Sequence, residues 1–192
     1  MKICFATNNP NKLNEIRQAL SGKVDIISLQ EAGCHEELPE TQDTLEGNSL
    51  QKAAYVVQHY NIDCFADDTG LEVDALDGEP GVYSARYAGE KCNAEDNITK
   101  LLNALDGEEN RKAQFRTIIT LFLNGEQHTF EGSARGSITH QRSGDSGFGY
   151  DPVFQPEGYD YTFAEMSMEE KNNISHRGKA VQLLISFLKG KK

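Results

Sequence analysis

The chain has no unbroken apolar run of roughly 18 residues, the length a membrane-spanning helix needs, so no such helix is expected. Its first residues go straight into a strand pattern and lack the apolar core of a secretion signal, which predicts a cytoplasmic protein. It has no C-x-x-C pair. Cys4, Cys34, Cys64 and Cys92 lie far apart, and reduced thiols are expected. Cys34-His35 has no second Cys/His pair to complete a metal site and reads as a surface loop. Basic charge is also scarce. The net charge of −11 disfavours a nucleic-acid scaffold, although a few local cations can still bind a small phosphorylated ligand. Several catalytic signatures are missing: H-E-x-x-H, G-x-S-x-G, the dinucleotide G-x-G-x-x-G and the Walker A loop. No internal repeat occurs, and no linker is long enough to split the chain.

What is present describes a folded globular protein. Its 192 residues, 38% hydrophobic and 26% charged, suit one domain over 1–192, with a single core or two lobes. Residues 2–7 read as a strand. Asn9 caps the following helix, with Pro10 at its first position. Leu13, Ile16, Ala19 and Leu20 give that helix its apolar face, Gly22 ends it, and 24–29 form the next strand. This strand–helix–strand opening points to an α/β sheet. Residues 31–43 form an acidic loop. Asp43-Thr44-Leu45-Glu46 resembles a capping box, with Asp in the capping place, and starts a helix to about Tyr60. Its apolar face is Leu50, Ala53, Ala54 and Val57, which leaves Lys52 off that face or at its edge.

Asp63-Cys64-Phe65-Ala66 reads as a short buried strand that ends at Asp67-Asp68, with Gly70 turning into a second strand through Leu71, Val73 and Ala75. Further on, Asn93 caps a helix over 94–105. The 114–123 and 127–138 strands are joined at Asn124-Gly125 as a hairpin. Two Gly/Pro-rich loops, 78–87 and 144–158, flank them. Ser167-Met168-Glu169-Glu170 opens a short helix, and Ser175-His176-Arg177 begins the last one. That helix turns Ala180, Leu183, Leu184, Phe187 and Leu188 inward, and the basic 189–192 tail suits its end.

Each group that could carry chemistry has two readings. Asp67-Asp68 is either a polar turn or an acid pair for a hard cation and a catalytic proton. The Thr7-Asn8-Asn9-Pro10-Asn11-Lys12 junction is either an ordinary capped helix start or an anion site built on helix N–H groups and a lysine. Phe148-Gly149-Tyr150-Asp151 is either a packed aromatic turn or a face for a base. Lys12, Lys171 and His176-Arg177 all sit near helix N-termini, where a cation opposes the helix dipole. A bound polyanion would account for that.

Taken together, five blocks in register resemble one family. They are the 7–12 block, Leu38-Pro39-Glu40 with Glu46, Asn48 and Lys52-Ala53, Ala66-Asp67-Asp68-Thr69-Gly70-Leu71, Phe148-Gly149-Tyr150-Asp151-Pro152, and Glu170-Lys171 with Ser175-His176-Arg177. The chain resembles the inosine triphosphatase-like pyrophosphatases of noncanonical purine nucleoside triphosphates. The resemblance implies an elongated mixed β-sheet flanked by helices, in two lobes with a central cleft, and a homodimer. It implies Mg²⁺-dependent hydrolysis of ITP, dITP or XTP to the monophosphate and pyrophosphate, with a small nucleotide as partner rather than nucleic acid or membrane. Thr7, Asn8, Asn9, Pro10, Asn11, Lys12 and Lys52 would hold phosphates, and Thr69 would touch the nucleotide. Glu40 and Asp68 would serve the metal, with Asp68 activating water. Phe148, Gly149, Tyr150, Asp151, Lys171, His176 and Arg177 would contact the substrate, mostly around the base. The division of labour between Asp67 and Asp68 stays open at this point. The same acids and cations also suit a hydrolase of modified pyrimidine triphosphates, or a nucleotide sensor without turnover.

Overall fold

The computed structural model describes residues 2–20 and 24–190. Gly22, Lys191 and Lys192, expected as helix-terminal residues, lie outside that range, and the side chains of Asn11 and Ala19 are likewise outside it. The strands are β1 (Lys2–Phe5), β2 (Asp25–Ile27), β3 (Cys64–Val73), β4 (Pro80–Gly81), β5 (Lys112–Leu123), β6 (Glu126–Ile138) and β7 (Phe154–Pro156). The α-helices are α1 (Pro10–Leu20), α2 (Leu45–Tyr60), α3 (Ala94–Ala104), α4 (Met168–Ile174) and α5 (His176–Gly190). Among the described residues, the strands form one mixed sheet in the order β2-β1-β3-β5-β6-β7, with β4 pairing β3. β1 runs parallel to β2 and to β3, in register Cys4↔Cys64 and Phe5↔Phe65, whereas β4 and β7 join antiparallel. This is the mixed α/β sheet flanked by helices that was expected.

Two compact units divide the chain. One comprises Met1–Asp68, Ile118–Glu131 and Ala180–Lys192, the other Thr69–Thr117 and Gly132–Lys179. β3, β5, β6 and α5 each run from one unit into the other.

In the first unit, strand alternation sends neighbouring residues to opposite faces of the sheet. Ile3, Phe5 and Phe65 pack with Ile16 and Leu20 of α1 and Ala180, Leu184 and Leu188 of α5. Cys4, Ala6, Cys64 and Ala66 pack instead with Ala53 and Val56 of α2. The second unit has its own core, built on Leu71, Ile98, Leu101, Phe115, Phe154 and Phe163.

Local chemistry sets most element ends as expected. Asn9 Oδ1 accepts from Lys12 N–H at 3.3 Å and caps α1, with Pro10 at its first position. Asn93 caps α3 and Ser167 caps α4 in the same way. Asn124 and Gly125 both have positive φ, the backbone a two-residue hairpin turn needs.

Five expectations are corrected. β3 is one continuous strand rather than two strands about a turn. It pairs with β1 at Cys64 and Phe65 and with β4 at Leu71 and Glu72, and Asp67, Asp68 and Gly70 lie within the strand between, while Ala75 falls in the 3₁₀ turn that follows. The cap of α2 is Thr44, whose side chain accepts from Gly47 N–H, rather than Asp43. The buried face of α2 is Leu45, Asn48, Ser49, Lys52, Ala53 and Val56, while Leu50 is 37% exposed. In α5, Val181 is buried and Leu183 is 49% exposed, so the inward stripe turns by a few tens of degrees from the sequence pattern. Cys34 is buried instead of lying on the surface, in the core cluster that also holds Cys4, Cys64, Leu29 and Ala53.

Candidate active site

The first cluster forms where β1 meets α1 and where β3 passes between α1 and α2. Thr7 Oγ1 accepts from Asn9 N–H at 3.1 Å, which shapes the turn into α1. That turn leaves Asn8 and Pro10 exposed and brings Lys12, the third residue of α1, over β3. Lys12 Nζ lies 2.7 Å from Asp67 Oδ2. On the other face, Lys52 of α2 lies 2.5 Å from Glu40 Oε1 and 3.8 Å from Asp68 Oδ1. The two adjacent acids of β3 therefore form their ion pairs with different lysines on different helices, while each also acts electrostatically on the other's lysine.

Burial raises the Asp68 pKa above its ordinary value. Lys52 and Lys12 pull it down, Glu40 pushes it up, and the Asn48 amide beside it pulls it down. Burial acts on Lys52 in the opposite sense, but Asp68, Glu40 and Asp67 together outweigh it and leave the ammonium above its usual range. Asn48 was quoted in the sequence only as part of a block. It is fully buried, four residues before Lys52 on the same α2 face, and its Oδ1 accepts from Gln42 N–H at 2.9 Å. It thus ties the segment carrying Glu40 to the helix carrying Lys52. The i, i+4 spacing of a polar pair is the signal that could have found it.

The second cluster lies in the other unit. Lys171 Nζ is 2.5 Å from Asp151 Oδ2, and the same oxygen accepts from Phe148 N–H at 2.8 Å. Lys171 Nζ lies 5.0 Å from the Phe148 ring centre and 5.6 Å from that of Phe163, and Arg177 Cζ lies 5.2 Å from Phe148. His176 stacks on Phe115 at 4.6 Å with an interplanar angle of 19°. Asp151, Lys171, His176 and Arg177 are buried, whereas Phe148 keeps an exposed face. Gly147 has a φ of +81°, and a Cβ there would come within 2.2 Å of Asp151 Oδ2, so only glycine lets the loop close on this carboxylate. Ser175 Oγ accepts from Gly178 N–H and starts α5, which fixes the direction of His176 and Arg177.

Not every expected residue joins a cluster. Tyr150 packs into the second core and donates its hydroxyl to Ser84 O. Gly149 supplies a left-handed turn with a φ of +61°. Thr69 meets Thr117, hydroxyl to hydroxyl, at 2.7 Å. Phe115 and Phe163, which carry the ring contacts of His176 and Lys171, were not singled out in the sequence, where they read only as core aromatics.

The donor set of the first cluster suits a hard cation. Glu40 and Asp68 bring carboxylate oxygens to one ammonium, while no group of three or more metal-binding side chains forms among the described residues. Two carboxylates are what Mg²⁺ takes when waters and substrate phosphates complete its shell. The cluster holds three acids and two lysines, so by itself it carries one more negative than positive charge.

Such a sheet, with an acid–lysine cluster in one unit and an aromatic–cation cluster in the other, defines a mixed α/β protein of the helix-flanked class. Comparison with known proteins narrows this class. The Ham1 family model matches residues 3–187. The chain is 60% identical over 188 residues to a dITP/XTP pyrophosphatase of Flavobacterium johnsoniae, covering 98% of each chain. It is 58% identical to one from Porphyromonas gingivalis, covering 97% of each. The solved Ham1 protein of Staphylococcus aureus superposes with a TM-score of 0.94 at 41% identity, over 100% of both chains. The chain belongs to the Ham1 family.

Proposed function

We propose that the protein hydrolyses deaminated and oxidised purine nucleoside triphosphates, with ITP, dITP and XTP as substrates, to the monophosphate and pyrophosphate. The relatives named dITP/XTP pyrophosphatase, matched over nearly the whole chain, support this reading. The observation that carries it is the convergence of Glu40 and Asp68 on Lys52. A triphosphate carries about four negative charges, and a centre that is itself net acidic would repel it unless a divalent cation is present. Glu40 and Asp68 would hold Mg²⁺, which would neutralise charge at the phosphates. Lys12 and Lys52 add fixed positive charge there, and the 7–12 turn takes phosphate oxygens. Asp68 would also hold and move the proton of the attacking water.

The second cluster takes the base. Phe148 offers a ring face, and Arg177, His176 and Lys171 are donors for an oxo group at the purine 6 position. Adenine presents an amino group there and would leave buried donors unpaired, a mismatch that discriminates strongly. Thr69 contacts the nucleotide. Residues 1–192 act as one domain, in a cytoplasmic homodimer whose state sedimentation velocity would report.

The test is hydrolysis of ITP, dITP and XTP with Mg²⁺, with the products identified. Pyrophosphate and the monophosphate are expected, and orthophosphate with the diphosphate would overturn the reading. A chelator should abolish turnover. Asp68→Asn should lower kcat by at least a hundredfold with little change in KM. A panel including modified pyrimidine triphosphates tests the purine preference.

A further inference from the structure

Asp67 and Asp68 are adjacent in sequence but opposite in space. Along β3, Phe65 faces α1 and α5 while Cys64 and Ala66 face α2. The same alternation directs Asp67 to Lys12 of α1 and Asp68 to Lys52 of α2. The two acids also differ in access. The Asp67 side chain is 3% exposed, whereas that of Asp68 retains 15% exposure beside Glu40. A hydrated divalent cation needs room for its waters, and the Asp68 side offers more of it.

We infer that Asp67 is a positioning residue for Lys12, rather than a second metal ligand or an alternative base. This deepens the reading above and rests on the first cluster being the triphosphate end. A lysine is a point charge on a stem with four rotatable bonds, and at the third position of α1 its ammonium also opposes the helix dipole. The 2.7 Å contact to a buried carboxylate fixes one rotamer and offsets that opposition. An ammonium carries three N–H donors, so a bond to Asp67 is compatible with bonds to phosphate oxygens. Asp67 thus keeps Lys12 placed before substrate arrives.

The test compares Asp67→Asn with Asp68→Asn in the full-length protein. Asp67→Asn should raise KM for ITP about tenfold and weaken binding of Mg²⁺-pyrophosphate, followed by calorimetry, to a similar degree. Its Mg²⁺ concentration for half-maximal rate should stay at the wild-type value. Asp68→Asn should do the reverse, losing kcat with KM kept. A double-mutant cycle separates positioning from general support of the fold. On a Lys12→Met background, Asp67→Asn should change KM no further, because the group it positions is gone. The neutral double variant removes both charges and can fold even where Asp67→Asn alone does not, so its comparison with Lys12→Met stands by itself. A shifted Mg²⁺ requirement in Asp67→Asn, an unchanged KM, or additive effects in the cycle would each overturn the inference. Lack of pyrophosphate release by the wild type would instead overturn the reading beneath it.

Discussion

Glu36 shows how one exposed side chain can organise a loop. It accepts from Tyr60 Oη at 2.6 Å and from Tyr55 Oη at 3.1 Å, both on α2, so an acidic stretch that reads as solvated surface is tied to a helix. The Tyr60 hydroxyl contributes most, the residue's own N–H and Tyr55 add to it, and together they lower the carboxyl to about 2. A lowered acid stabilises the fold above its unfolded pKa and loses that contribution as pH falls through its folded one. Glu36→Gln should therefore melt below the wild type at pH 7. The gap should close between pH 4.5 and about 2, and thermal denaturation across that range checks it. Lys52 presents the opposite lesson in reading single residues. Helical periodicity assigns a lysine outward, yet here three carboxylates hold it inside, and only their positions in space explain why.

At the scale of elements, what depends on neighbours in the chain was legible and what depends on distant pairing was not. The caps at Asn9, Asn93 and Ser167 and the turn at Asn124-Gly125 were all readable, since each is decided within four residues. β3 was not. Asp-Asp-Thr-Gly has the composition of a turn, yet it continues one strand that pairs with β1 before it and β4 after it and has β5 as its other neighbour in the sheet. Leu50 and Leu183 failed for a related reason: a stripe of leucines fixes that a helix is amphipathic but leaves its rotation free by a residue or so. The same distinction applied to the candidate site. The types of residue were visible, while the pairing of each acid with its lysine required the fold.

The junction of α4 and α5 carries a prediction at this scale. A Cβ on Gly178 would lie 1.8 Å from the Asn172 carbonyl oxygen, so the two helices approach closely there only because residue 178 is glycine. Gly178→Ala should push them apart and cost about 1–3 kcal/mol, as other overpacked contacts do, read from urea unfolding. Lys171 precedes the contact and His176-Arg177 flank it, so KM for ITP should rise in this variant more than kcat falls.

For the whole molecule, the informative feature is that the two compact units are interleaved along the chain. β3, β5, β6 and α5 have residues in both, so neither unit is a continuous segment that could be excised. Each also has its own core. A ten-residue strand such as β3 cannot lose its ladder in one half without fraying the other, so a single unfolding transition is expected. The sequence contains no Trp and seven Tyr, which makes tyrosine emission the natural probe. Its midpoint in urea should coincide with that of far-ultraviolet circular dichroism, and two separated midpoints would show independent units. Among the described residues no helix is long and apolar enough to cross a membrane.

The alternation of β3 has a consequence for how this stretch can change. Asp67 and Asp68 are the same residue type on opposite sides of one strand, so parity decides which lysine each one pairs with. A substitution at either position alters one lysine's partner. Inserting or deleting a single residue between Phe65 and Asp67 would exchange both partners at once and turn the adjoining apolar residues to the wrong helix. Members of a library randomised in length across this strand should thus lose function even when every original side chain is retained, whereas a library randomised in composition should not lose it uniformly. The segment behaves as a reading frame, and its spacing carries as much information as its letters.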